Sequence, residues 1–339
     1  MKQDIISSVI KNSKKININY PLKANHNYDL VKIQSRSSIK ANIIAYLMDN
    51  NQKSPIAVIK TPRDPLNNKY IFNENDNLNK LHYKIKDEKI KEKLPQSYVD
   101  IHNESTFLVQ EYMTGNKMIK IMHSPRKVKK QFPIISNWLF SFYESLPNKK
   151  VLNSSEVVEY LNKMFNNFTK LYPDAYRNLN PEIVKYFSNI SEKIGSKNLT
   201  LIGQHNDFNA HNIIVNSKKN ELDDFSVIDW EDYTEQSLPI IDINHFFISN
   251  SGLLPKDLGS ENFDKYFIKN NFYQDLYKQT INTFVKFKYL DKELFTYLTP
   301  YYFIHMCLII SKENRNQEKT LNTWIKRLEN YLQNIKKFL

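Results

Sequence analysis

The 339-residue chain contains one cysteine and five glycines. A single thiol excludes an internal disulfide. Cys307 lies in the apolar stretch YYFIHMCLII, where a buried, inert thiol is expected rather than a nucleophile. No group of His and Cys has the spacing of a zinc site. So few glycines leave little material for glycine-rich loops. The longest apolar run is about ten residues, too short to span a bilayer. The opening MKQDIISSVIKNSKK lacks the apolar region of a signal peptide. The expectation is a soluble, cytoplasmic protein.

What is present argues for a folded, two-lobed chain. Hydrophobic residues make up 41%, with 21 Tyr and 20 Phe, which supports a sizeable core and argues against disorder. The net charge of +12 favours anionic partners. Lysine and asparagine are spread along the chain, as on a solvated face, and no compact basic cluster with interleaved aromatics occurs. Nucleic-acid binding is not expected.

Residues 29–62 read as strands: DLVKIQ, then IKANIIAYLM, then PIAVIK. In the last, Ile56, Val58 and Lys60 share one face, and Ala57 and Ile59 the other. Leu78, Leu81 and Ile85 have helical spacing. TFLVQEYM reads as a buried strand ended by TGN. After residue 116 the pattern turns helical, and Ser155 is the expected N-cap of SSEVVEYLNKMFNNFTKLY. IIV at 213–215 and FSVI at 225–228, joined by a polar loop, read as a hairpin. The chain closes on an amphipathic helix with Leu321, Trp324, Ile325, Leu328, Leu332 and Ile335 on one stripe.

The stretch GQHNDFNAHN, 203–212, packs polar groups directly before the first hairpin strand. Asn212 enters that strand and Asp229 follows the second, so the hairpin makes them neighbours. An amide oxygen and a carboxylate there suit Mg²⁺, a hard cation. Asp207 is then placed to accept a proton from a hydroxyl nucleophile. Glu231 is near enough to reach the same metal or a substrate. Alone, each of these residues fits an ordinary turn or hairpin end.

The pattern H-x-D-x-x-x-x-N, a strand, then I-D-W-E resembles the aminoglycoside phosphotransferase and choline kinase family, distant relatives of the protein kinases. The resemblance implies that Asp207 is the catalytic base, that Asn212 and Asp229 bind magnesium, and that His205 braces the loop. AVIK resembles the third strand of the kinase small lobe, which implies that Lys60 holds the nucleotide phosphates and pairs with a Glu on the next helix, here Glu74. LVQEYMTG resembles the interlobe hinge, with adenine contacts near Glu111 and Met113. IIDINHF resembles a later segment whose Asp, here Asp242, supports the catalytic loop. The likeness runs through residues 29–250. Two features depart from the family pattern. Asn206 stands where Gly often follows the motif His. In place of a glycine-rich phosphate loop lies QSRSSIK, in which Ser35, Ser37 and Ser38 could offer hydroxyls and amides, and Arg36 a charge.

The resemblance implies an α+β, two-lobed, protein-kinase-like fold with a small β-sheet N-lobe and a mostly helical C-lobe. The lobes are expected at 1–113 for nucleotide binding and at 114–339 for catalysis and substrate. The implied activity is ATP- and Mg²⁺-dependent transfer of the γ-phosphoryl to a hydroxyl of a small molecule: a sugar, an aminoglycoside-like compound or another hydroxylated metabolite, anionic ones included. The alternative is a pseudokinase-like module that binds nucleotide or a partner without transfer.

Overall fold

A computed structural model describes residues 2–16, 26–34, 42–51, 54–102, 105–216, 224–254, 263–310 and 317–338. The expected phosphate-loop residues Ser35, Arg36, Ser37 and Ser38 lie outside them. The strands are, in chain order, β1 Tyr28–Gln34, β2 Ile43–Asp49, β3 Pro55–Thr61, β4 Ser97–His102, β5 Ser105–Glu111, β6 Asn116–Lys117, β7 Lys150–Leu152, β8 Leu199–Gln204, β9 Ile213–Val215, β10 Phe225–Val227 and β11 Thr234–Ser237. The chain forms two compact units. One comprises Met1–Met118 with His211–Tyr233, the other Ile119–Ala210 with Thr234–Leu339. The hairpin thus groups with residues more than ninety positions before it, which no division by chain position alone would assign.

The first unit is built on an antiparallel five-stranded sheet of order β1-β2-β3-β5-β4. Period-two alternation sends Ala57 and Ile59 of β3, with Phe107 and Val109 of β5, into a core shared with Ile5, Ile6 and Val9 of the helix Lys2–Lys11. Periodicity did not announce that helix, because its three buried residues span little more than one turn. Lys60 and Gln110 belong to the opposite set of alternating positions, where the helix Asn68–Lys84 buries Ile71, Glu74, Leu78 and Leu81. β4, not anticipated, pairs along β5 from Ser97 to His102. A smaller sheet of order β10-β9-β6 completes the unit. Gly115, at φ +139°, lets the chain enter β6: a Cβ there would sit 2.6 Å from the Val215 carbonyl oxygen.

The second unit is mostly helical, with one sheet of order β11-β8-β7. The helix Lys292–Ile310 is buried on nearly every side, from Leu294 to Ile310, so no amphipathic stripe marks it. Burial there pushes the Cys307 thiol up to about 12, as befits an inert group. The helix Gln317–Gln333 turns Leu321, Trp324, Leu328 and Tyr331 inward. One expectation needs correction: Ser155 is not the N-cap of Ser154–Leu171. Asn153 is, in a reciprocal capping box: its Oδ1 accepts from Glu156 N at 3.0 Å, and its own N–H donates to Glu156 Oε2 at 2.9 Å. An Asn-x-x-Glu frame uses both groups, whereas Ser155, two residues later and already inside the helix, donates its hydroxyl to Asn153 Oδ1 at 2.6 Å. Among the described residues no helix is long and apolar enough to cross a membrane.

Candidate active site

The first unit gathers Lys60, Glu74 and Asp229. Strand alternation turns Lys60 toward the helix Asn68–Lys84, where Glu74 is fully buried. The Lys60 Nζ donates to Glu74 Oε2 at 2.7 Å and Oε1 at 2.8 Å, and to Asp229 Oδ1 at 2.9 Å. Burial alone would lower the Lys60 pKa, but the charges of Asp229 and Glu74 outweigh it and the net shift is upward. The ammonium therefore stays charged. Gln110 Nε2 donates to Glu74 Oε1 at 3.1 Å. The sequence reading missed it, although a polar residue inside an apolar strand, on the face of Lys60, was a usable signal.

The hairpin register explains the position of Asp229. Ile213 pairs with Val227, and Ile228 N donates to Asn212 O at 2.9 Å, so Asn212 and Asp229 leave adjacent strands at one end. Asp229 has φ +71°, a left-handed conformation uncommon outside glycine. Asn77 Nδ2 holds the next turn by donating to Trp230 O at 2.9 Å. One carboxylate oxygen from each of Glu74, Asp229 and Glu231 lies within 4.8 Å of the others. Burial, with the charges of Asp229 and Glu74, pushes the Glu231 carboxyl up to about 9. Three carboxyl groups face one ammonium. This is a donor set suited to a hard divalent cation.

Glu111 is already engaged: its N–H donates to Gln96 O at 2.8 Å, and its Oε2 accepts from Gln96 N at 3.2 Å.

The second unit holds the loop after β8. His205 N–H donates to Asp242 Oδ2 at 2.7 Å and Asn206 N–H to Asp242 Oδ1 at 2.8 Å, with Asp242 fully buried. Burial lifts the Asp242 carboxyl above its ordinary value, against the pull of His205 and of these N–H bonds. Asn206 has φ +67°, in the left-handed region that Asn tolerates better than most residues. The fully buried His205 accepts the Asp207 N–H on Nδ1 at 3.2 Å. Asp207 Oδ1 takes Asn209 Nδ2 at 2.6 Å and His245 Nε2 at 3.0 Å. Asn209 and His245 were not singled out in the sequence, although His245 stands inside the quoted IIDINHF.

No protein-family model matches the sequence, and no curated protein matches it. Solved structures do. Choline kinase from Cryptosporidium parvum Iowa II is 14% identical, with 99% of this chain and 95% of that one covered and a TM-score of 0.55. A thermostable mutant of aminoglycoside phosphotransferase APH(4)-Ia, in ternary complex with AMP-PNP and hygromycin B, is 8% identical, with 97% of each chain covered and a TM-score of 0.52. Macrolide 2'-phosphotransferase MphH from Brachybacterium faecium is 10% identical, with 94% and 97% covered and a TM-score of 0.51. Identities this low speak for the fold alone, and the sheet-based first unit and mostly helical second unit are the two parts that fold requires. The chain has the α+β, protein-kinase-like fold of choline kinase and the aminoglycoside phosphotransferases.

Proposed function

We propose that the chain is an ATP- and Mg²⁺-dependent phosphotransferase that moves the γ-phosphoryl group to a hydroxyl of a small molecule. The observation that carries this reading is the buried Lys60 ammonium, shared between Glu74 and Asp229. An ammonium fixed in this way is a positioned point charge for nucleotide phosphates. That a structure of the same fold holds AMP-PNP and hygromycin B supports a nucleotide and a hydroxylated acceptor here.

Asn212 and Asp229 would hold the metal, which when bound neutralises charge on the phosphoryl oxygens. Lys60, kept in place by Glu74, would orient the phosphates. Backbone groups near Glu111 and Met113 would take the adenine. Asp207 would orient the acceptor hydroxyl and take its proton. His205 and Asp242 would hold the backbone that carries Asp207. Positioning and charge neutralisation would supply most of the rate enhancement. The acceptor is a small hydroxylated molecule, and the net charge of +12 favours an anionic one.

Thermal unfolding with ATP or GTP, with and without Mg²⁺, tests the reading on wild type and Asp229→Asn. A ligand at one hundred times its Kd stabilises by about 2.7 kcal/mol. A Mg²⁺-dependent gain that Asp229→Asn abolishes is the expected result. Absence of a shift with either nucleotide would reject nucleotide-dependent transfer. An acceptor panel read by ADP release then identifies the substrate class.

A further inference from the structure

We propose that Tyr302 and His245 form a relay that positions the Asp207 carboxylate, presenting one oxygen to the acceptor hydroxyl and occupying the other. This inference rests on the phosphotransferase reading for its catalytic meaning, while its geometry stands independently within the second unit.

His245 Nε2 lies 3.0 Å from Asp207 Oδ1. On its other side, His245 Nδ1 lies 3.1 Å from Tyr302 Oη and 3.2 Å from Ser249 Oγ. His245 is 4% exposed and Tyr302 0%, so neither can exchange these partners for bulk water. Burial raises the Tyr302 phenol well above its ordinary range, and it therefore keeps its proton. A protonated phenol can donate to an imidazole nitrogen that has none. The Asp207 carboxylate, which only accepts, selects the tautomer with hydrogen on Nε2, and Nδ1 is left to accept from the hydroxyls. Asn209 Nδ2 also donates to the same Oδ1 at 2.6 Å. Its 3.2 Å distance from His245 Nε2 follows from two donors meeting one acceptor.

Two N–H donors on Oδ1 lower the basicity of that oxygen and fix the plane of the carboxylate. Asp207 takes the proton, on the oxygen the relay does not hold, as the hydroxyl oxygen forms its bond to phosphorus. The bond from phosphorus to the leaving ADP oxygen breaks in the same transfer. His245 itself exchanges no proton in this step. It is a positioning residue.

The test has two arms. Ring ¹⁵N spectra of histidine-labelled protein at pH 8.5 should show His245 protonated on Nε2. Tyr302→Phe combined with Ser249→Ala should leave the hydrogen on Nε2, where Asp207 Oδ1 accepts it, and should move the Nδ1 resonance, which has lost its donors. A wild-type ring protonated on Nδ1 alone would overturn the relay. In the second arm, ADP release from Mg²⁺·ATP is followed with choline, hygromycin B, a hexose, or water as acceptor. His245→Ala should lower kcat about 10- to 100-fold with KM for ATP unchanged, the size expected when a reacting group is misplaced. His245→Gln, which keeps an N–H donor, should restore part of the loss. Unchanged kcat in His245→Ala, beside a loss in Asp207→Asn, would overturn the positioning role alone. Unchanged ADP release in Asp207→Asn, or none in wild type, would instead overturn the phosphotransferase reading and leave the relay to be judged on the ¹⁵N result.

Discussion

The Lys60 ammonium lies 2.7 and 2.8 Å from the two carboxylate oxygens of Glu74, with 6% of the Lys60 side chain and none of Glu74's exposed. Removing one partner leaves the other buried and unbalanced, which costs more than the pair contributes as a whole. Lys60→Met should therefore destabilise the protein by about 3–5 kcal/mol in denaturant unfolding. The double variant Lys60→Met with Glu74→Gln should recover most of that loss. A single variant within about 1 kcal/mol of wild type would contradict the burial of an intact charge pair.

Asn206 supplies a second, purely conformational test. Its φ of +67° suits Gly or Asn and strains a β-branched side chain. Asn206→Val should cost about 1–2 kcal/mol of stability. Asn206→Gly relieves the strain but gives up the Nδ2 bonds to Thr234 Oγ1 at 3.0 Å and Gln204 O at 3.3 Å. The melting temperature of Asn206→Gly should stay near that of wild type, with Asn206→Val well below both. The reverse order would mean that the left-handed turn is absent in solution.

Asp207→Asn separates chemistry from binding. The amide keeps the shape but accepts no proton, so turnover should fall about 10²- to 10⁴-fold. Thermal stabilisation by Mg²⁺·ATP should persist, because the residues assigned to phosphate and metal, Lys60, Asn212 and Asp229, are untouched. If nucleotide stabilisation disappeared with the substitution, the division of roles would be wrong.

His82 gives a pH dependence with a definite sign. Its Nε2 lies 3.2 Å from Pro95 O, and burial lowers its pKa below the ordinary value. In the unfolded chain the ring protonates near pH 6.5. Below that pH the unfolded state binds a proton that the folded state resists. The contribution is therefore present above about pH 6.5 and is lost as the pH falls through the folded value. Between pH 7 and pH 5 the wild type should lose more stability than His82→Gln. Parallel stability curves for the two proteins would rule out a half-buried ring that resists protonation.

The strands PIAVIK and LVQEYM and the hairpin flanked by Asn212 and Asp229 were legible because each has a short, regular code. Alternation fixed which side of β3 Lys60 faces, and hairpin register fixed which residues leave at its open end. The helix Lys2–Lys11 and β4 were not, because a few apolar residues in a short element carry little periodicity. The buried helix Lys292–Ile310 was legible as helix-forming, but its lack of a polar face hid what it packs against.

By itself the sequence placed the strands of PIAVIK and LVQEYM, the hairpin and the motif residues along the chain, and, through its resemblance to a family, named Asp207, Lys60, Glu74, Asn212 and Asp229 as candidates. Tertiary structure decided the rest. It grouped the hairpin with the first unit, assigned Gln110 to Glu74, and set His245 and Tyr302 behind Asp207. These are contacts between residues 36 to 57 positions apart in the chain, made through side chains whose partners no local pattern names. Local spacing encodes which face a residue takes; only packing in three dimensions decides which groups from elsewhere in the chain meet it there.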